Sequence, residues 1–294
     1  MAMVASLAGS ALLMLGVAGC SHKNETGPEG KEKAPILHFE NGYSDVNGIK
    51  LYYEMCGQGE PLVLIHGGGS TIQTSFGRII PSLAQHYKVI ALELQNHGRS
   101  GSRSVPETFT QDADDVFSFL QNLKIKKANF FGFSNGGHTL IELSIRHPET
   151  INKLIIASSP FKRDGFLPGF FDGMNGATLS SMPAKLKEEF LKVNPDSSKL
   201  QIMFERDVQR MINFKGWTDE QIKSITAPTL IVNGDKDVMT IENAIEMHRL
   251  ISNSQLAIFP GAHGEYMGEI TTLPNEKTFY DACTPLVVNF LKSN

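Results

Sequence analysis

A mostly parallel α/β sheet is the architecture this sequence predicts, and three observations point to it. Short apolar runs recur near 61–66, 87–94, 128–133, 153–158, 229–233 and 255–259, and they alternate with helical stretches. A chain of 294 residues, 41% of them hydrophobic, can bury such a sheet in a single domain. Asn47-Gly48 is a strong two-residue hairpin signal, so an edge hairpin precedes the parallel strands.

The chain begins differently. Met1 to Gly19 carry no charged side chain, and the apolar run Ala11 to Ala18 is short for a spanning helix but fits a secretory h-region. It ends Val17-Ala18-Gly19-Cys20, which resembles the bacterial lipoprotein lipobox. That resemblance implies cleavage before Cys20, lipidation of its thiol, and an exported protein anchored in the cell envelope. Ser21, where some lipoproteins have Asp, implies the outer membrane. The first residues depart from the pattern in lacking Lys or Arg, and an ordinary cleaved signal or a retained anchor are the alternatives. Residues 20–35 offer almost nothing to bury and read as a flexible tether reaching on the order of 20 Å.

Within the domain, chemistry concentrates at strand ends. The apolar Ala128 to Phe131 runs into Gly132-Phe133-Ser134-Asn135-Gly136, and Gly137 to His147 follows with a helical pattern of Leu140, Ile141, Leu143 and Ile145. A G-x-S-x-G between strand and helix is a nucleophile elbow, whose sharp turn exposes the serine and tolerates no Cβ at the flanking glycines. Ser134 is the candidate nucleophile, and the backbone N–H of Asn135 is a candidate oxyanion donor. A serine needs a base, and the base needs an acid to hold its tautomer. Of nine histidines, His248 and His263 lie well beyond Ser134 with acids between. His248 falls inside an amphipathic helical stretch, whereas His263 sits on the loop Gly261 to Gly264 after a strand, where a solvent-reachable base belongs. Thr229 to Val232 reads as a buried strand, and both Asp235 and Asp237 follow its end within reach of the base.

Between Ser159 and Thr226 the strand–helix alternation stops. Phe161, Phe166, Phe170, Phe171, Met174, Met182, Met203 and other large apolar residues crowd a segment too long for an ordinary connection. It reads as a helical cap, packed mainly on itself. A minority among Phe161, Phe166, Phe170 and Met203 is expected to face an apolar substrate pocket.

Taken in order, these motifs resemble the α/β-hydrolase superfamily from about Gly42 to the C-terminus. Pro61 to Ser70 looks like that family's strand and oxyanion-hole loop, and Tyr87 to Ser100 like its next strand and loop. The family usually has Asp and Gly where this chain has Glu93 and Asn96, a departure expected to touch no catalytic part. The resemblance implies an α/β-hydrolase core over 36–159 and 227–294 with a cap at 160–226. It picks Asp237 as the acid, leaving Asp235 as a turn or capping residue. It also implies Gly68 as the second oxyanion donor, with Gly69 a third candidate. Ser134 argues against dehalogenases and epoxide hydrolases, which use an aspartate nucleophile.

The function so implied is hydrolysis of a carboxylic ester through Ser134, Asp237 and His263 and an acyl-enzyme. Lactonase, carbon–carbon hydrolase, peptidase and acyltransferase activities of the same fold are alternatives. A non-catalytic ligand-binding lipoprotein is the alternative from another class. No cofactor and no metal are implied, since no Cys–His cluster has ligand spacing. A net charge of −4 gives no reason to expect nucleic acid. The expected partner is a small ester-like molecule, with membrane contact only through Cys20. Cys56 and Cys283 are expected to be buried thiols rather than a disulfide.

Overall fold

The computed structural model describes residues 37–272 and 280–293. Cys20, the signal-like segment and the tether lie outside the described residues. The hairpin is present: strand β1 (Glu40–Val46) turns into β2 (Ile49–Cys56), with Asn47 and Gly48 at φ 43° and 88°. Positive φ at both central residues matches the right-handed twist of the paired strands, so an Asn-Gly pair suits this turn.

Six further strands follow at the positions the apolar runs indicate. They are β3 (Pro61–Ile65), β4 (Lys88–Glu93), β5 (Ala128–Phe133), β6 (Ile151–Ala157), β7 (Thr229–Gly234) and β8 (Ser254–Phe259). All eight form one sheet in the order β1-β2-β4-β3-β5-β6-β7-β8. β1 and β2 are antiparallel to their neighbours, and the rest run parallel. Both faces of the central strands are covered, which is why they read as continuous apolar runs rather than alternating ones.

Alternate side chains feed two cores. Val63, Ile65, Phe130 and Ile231 point to one side, against α3 (Phe109–Asn122), α4 (Asn135–Arg146) and α9 (Ile241–Leu250). Leu62, Leu64, Phe131 and Val232 point to the other, where α1 (Ile72–Phe76), α2 (Ile80–Leu83) and α10 (Tyr280–Lys292) lie. Cys56 and Cys283 are both buried and unpaired; burial pushes their thiols up to about 11 and about 12, so they are packing residues with little thiolate character.

Between β6 and β7 the chain adds α5 (Phe170–Asn175), α6 (Ala184–Val193), α7 (Ser197–Ile212) and α8 (Asp219–Lys223). Its apolar residues form two small clusters. Met182, Leu186, Phe190, Leu200 and Met203 make one, and Phe166, Met211 and Phe214 join Phe109 of α3 in the other. Phe161 belongs to neither, because it is fully buried in the sheet core.

The strand order fixes where a site can form. β3 has β4 on one side and β5 on the other, so the connections that leave its carboxyl end and those of its neighbours diverge there. Ligands of open α/β sheets bind in such a crevice.

Candidate active site

Ser134 follows β5 at φ 53° and ψ −119°, a left-handed conformation that an L-residue adopts only where surrounding structure compels it. The compulsion is visible at the flanking glycines. A Cβ on Gly132 would overlap the Gly136 carbonyl, and one on Gly136 would overlap the Ile65 carbonyl of β3. The elbow is therefore wedged between its own helix α4 and the neighbouring strand.

Asp237 follows β7, and His263 follows β8, the adjacent strand. His263 Nδ1 donates to Asp237 Oδ1 at 2.6 Å. The carboxylate is buried and held from several sides: Val238 N–H donates to Oδ1 at 2.7 Å, and Ser158 Oγ and Gly234 N–H donate to Oδ2 at 2.5 and 3.3 Å. Ser158 in turn shares a 2.6 Å hydrogen bond with the buried Tyr266 hydroxyl. Burial works against ionising Asp237, but His263 and these donors outweigh it and hold the carboxyl below its usual range. Burial likewise resists charging His263, yet Asp237 prevails, with help from the buried Glu269, and the imidazole is more basic than an ordinary histidine.

The competing sequence candidates lie elsewhere. Asp235 accepts the Gly261 N–H at 2.7 Å, which ties together the loops after β7 and β8. His248 stays on α9, bonded to Ser254 Oγ at 2.8 Å.

Ser134, His263, Gly68, Gly69 and Asn135 all line one cavity of about 340 Å³ under the inserted segment. Among the described residues, the N–H groups of Gly68 and Asn135 meet no acceptor, which suits donors waiting for an oxyanion. Gly69 differs from the third-donor expectation. Its N–H is already committed to Asp207 Oδ2 at 2.6 Å, because α7 brings a carboxylate to that spot.

The rest of the wall is mostly apolar: Phe166, Phe170, Met174, Met182, Leu186 and Met211 contribute to it. Of the expected pocket residues, Phe166 and Phe170 do face the cavity. Phe161 and Met203 do not; each is fully buried, one in the sheet core and one between α6 and α7. His138 also reaches the wall, with Nε2–H donating to the Pro160 carbonyl at 2.8 Å, and burial lowers it to about 3, so it stays neutral. Among the described residues, no group of three or more His, Cys, Asp or Glu is placed to hold a metal ion.

Two contributors to this site escaped sequence reasoning. Asp207 of α7 accepts from Gly69 N–H and from His97 Nε2 at 2.9 Å, and it pairs with Arg210 one turn on. His97 lies in the loop after β4, so that loop reaches the surroundings of the site through His97, while the departing residues Glu93 and Asn96 bond elsewhere. Asn96 takes the left-handed backbone (φ 63°) where glycine is usual, and its side chain donates to Glu107 Oε1. Glu93 is buried under Arg99, which donates to both its oxygens. His66 sits close by as a neutral brace. Its Nδ1–H donates to the Gly67 carbonyl at 2.7 Å, Nε2 accepts from Leu94 N–H at 3.0 Å, and burial lowers it to about 3.

Known proteins resemble this chain in sequence and fold. A family model described as "alpha/beta hydrolase fold" matches residues 60–190. A 2-hydroxy-6-oxo-6-(2'-aminophenyl)hexa-2,4-dienoic acid hydrolase of Metapseudomonas resinovorans is 24% identical over 81% of this chain and 88% of its own length. A human serine hydrolase is 27% identical over 76% of this chain and 79% of its own. An enol-lactonase from Burkholderia xenovorans superposes with a TM-score of 0.68 at 21% identity, covering 86% of this chain and all (100%) of that one. A meta-cleavage product hydrolase from Pseudomonas fluorescens gives 0.70 at 22% identity, over 85% and 97%. The architecture of the sheet, the match over residues 60–190 and these neighbours together identify the chain as an α/β-hydrolase-fold protein.

Proposed function

We propose that this protein is a serine hydrolase that cleaves neutral carboxylic esters, with residues 160–226 acting as the cap that selects them. The observation that carries the reading is Ser134, held in a left-handed elbow, opening into the same cavity as a His263 bonded to Asp237. In the reaction, Ser134 Oγ bonds to the acyl carbon while His263 takes its proton, and Asp237 stabilises the imidazolium. The carbonyl oxygen becomes an oxyanion facing the N–H groups of Gly68 and Asn135. His263 then passes the proton to the departing alcohol, the acyl-enzyme remains, and a water activated by the same histidine releases the acid.

Relatives here include hydrolases named for dienoic acid substrates. This cavity favours a different choice. Among the described residues no Lys or Arg lines it and Asp207 is the one carboxylate that does, so a substrate carboxylate would meet no cationic side chain among them. Neutral esters suit that wall better, and an internal ester such as a lactone is the second reading, since it presents the same carbonyl. A fluorophosphonate probe tests the mechanism: wild-type protein should label, and Ser134→Ala should not. Labelling that survives the substitution removes Ser134 from the role of nucleophile.

We also propose export and lipid anchoring at Cys20, on the lipobox-like sequence alone. Cys20→Ala should move the protein out of the membrane fraction, and unchanged partitioning contradicts the anchor.

A further inference from the structure

We propose that Asp207 is a positioning residue, which clamps the oxyanion loop to the cap helix α7 and so aims the Gly68 N–H at the reacting carbonyl. This rests on the serine-hydrolase reading, and it adds to that reading a part drawn from the inserted segment.

The loop after β3 needs such a clamp. Gly67, Gly68 and Gly69 have no side chains to hold them, and consecutive glycines roam more conformations than any other residues. An oxyanion donor is effective only if it is aimed before the charge develops. His66 and Ser75 hold Gly67, and Asp207 supplies the constraint at Gly69. Its Oδ2 accepts the Gly69 N–H at 2.6 Å, which fixes the peptide plane between Gly68 and Gly69; the preceding plane, which carries the Gly68 N–H, pivots on the same Gly68 Cα and is held at its carbonyl by His66. The side-chain Nδ2 of Asn135, the residue after the nucleophile, approaches the other carboxylate oxygen at 3.5 Å. One carboxylate thus reaches Gly69, the neighbour of the Gly68 donor, and the side chain of Asn135, the other donor residue.

The carboxylate is itself immobilised. His97 Nδ1 lies 2.9 Å from the Gln95 carbonyl and Nε2 lies 2.9 Å from Asp207 Oδ2, two acceptors that favour a ring protonated on both nitrogens over the longer 3.2 Å approach of the Gly69 N–H to Nε2. Arg210 bonds to Asp207 Oδ1 and spans to Asp112 of α3 at 2.6 Å. Glu107 stands 3.7 Å from the same guanidinium, while His66, whose ring is 4.7 Å from that of His97, is neutral. Burial opposes charge on His97, but Asp207 and Glu107 outweigh burial and the repulsion of Arg210, raising it to about 9. Buried ion clusters are often no more stabilising than apolar packing of the same volume. Placing this one against the oxyanion loop gives it a task that packing cannot perform.

The test uses the full-length protein and a chromogenic ester. Asp207→Asn keeps the shape and an acceptor for Gly69 but removes the charge that organises His97 and Arg210. It should lower kcat by about tenfold or more while KM moves by less than about threefold, since an interaction made mainly in the transition state is lost. In wild-type protein kcat should fall as pH rises through about 9, and His97→Gln should abolish that fall. Hydrogen exchange of the peptide spanning Gly67 to Ser70 should quicken in Asp207→Asn. A kcat within threefold of wild type, a loss confined to KM, or an alkaline fall that persists in His97→Gln overturns the proposal. If Asp207→Asn does not fold, the pH profiles of wild type and His97→Gln decide alone. Wild-type protein that hydrolyses no ester refutes the serine-hydrolase reading, and exchange at the glycine loop then still reports whether the clamp exists.

Discussion

Asp237→Asn removes one charge from the site and almost no volume, which makes it a clean test of how His263 is driven. Both carboxylate oxygens are in use: Oδ1 faces His263 Nδ1 at 2.6 Å and Val238 N–H at 2.7 Å, and Oδ2 faces Ser158 Oγ at 2.5 Å and Gly234 N–H at 3.3 Å. An asparagine has one acceptor oxygen for these donors. If that oxygen keeps His263, its NH₂ points at Gly234 N–H; if it turns to Ser158, the NH₂ faces the imidazole and selects the wrong tautomer. In either pose the imidazolium formed during catalysis has lost its counter-charge. Two unit charges about 4 Å apart at an effective dielectric of about 20 interact by about 4 kcal/mol. At about 1.4 kcal/mol per tenfold, that predicts a fall of about 10³ in kcat. Steady-state hydrolysis of a chromogenic ester measures it, with fluorophosphonate labelling as a second readout. Asp235→Asn is the control, because asparagine can still accept from Gly261 N–H, and it should stay within about threefold. An Asp237→Asn enzyme within tenfold of wild type, or an Asp235→Asn enzyme that is the worse of the two, would refute the assignment.

Two other outcomes separate the parts of the molecule. Phe166→Ala or Phe170→Ala, on the cavity wall, should change the preference for acyl length by about 1–3 kcal/mol in kcat/KM while the fold survives. Phe161→Ala should instead cost about 3–5 kcal/mol in denaturant unfolding with the length profile unaltered, and an inverted pattern contradicts the packing described. Stability should also fall on the alkaline side. The folded pKa of His97 is raised to about 9 from its ordinary 6.5, so its stabilising contribution is complete below pH ~6.5 and disappears as pH rises through about 9. The melting temperature of wild type should drop across that window more than that of His97→Gln, and parallel curves would argue against it.

How much of this could be read in the sequence depended on whether the cause was local. The Asn47-Gly48 turn was legible because its chemistry is contained in two residues. The buried strands were legible because a sheet covered on both faces needs unbroken apolar runs such as Leu62 to Ile65. Ser134, Asp237 and His263 follow strand ends, and residues 229–237 and 256–263 carry recognisable turns. Asp207 and Arg210 carry no such mark. Spaced three apart on an amphipathic helix, they look like a solvated i,i+3 pair, and only the fold brings Asp112, Glu107 and His97 to them and buries Arg210 at 4% exposure. Phe161 and Met203 failed as pocket residues for a related reason. Size and apolarity mark a residue for burial without saying whether a cavity or a neighbour covers it.

His263 hangs from β8, which ends the sheet and, among the described residues, pairs only with β7. Most of β8 is half-buried, whereas every residue of β7 is buried. A strand with one partner and a partly wetted surface frays before the strands inside it. Gentle heating or mild denaturant should therefore silence the enzyme while most of its spectroscopic signature survives. Inactivation and melting will be two separate events, and their spacing in temperature measures how firmly a single outer strand is fastened.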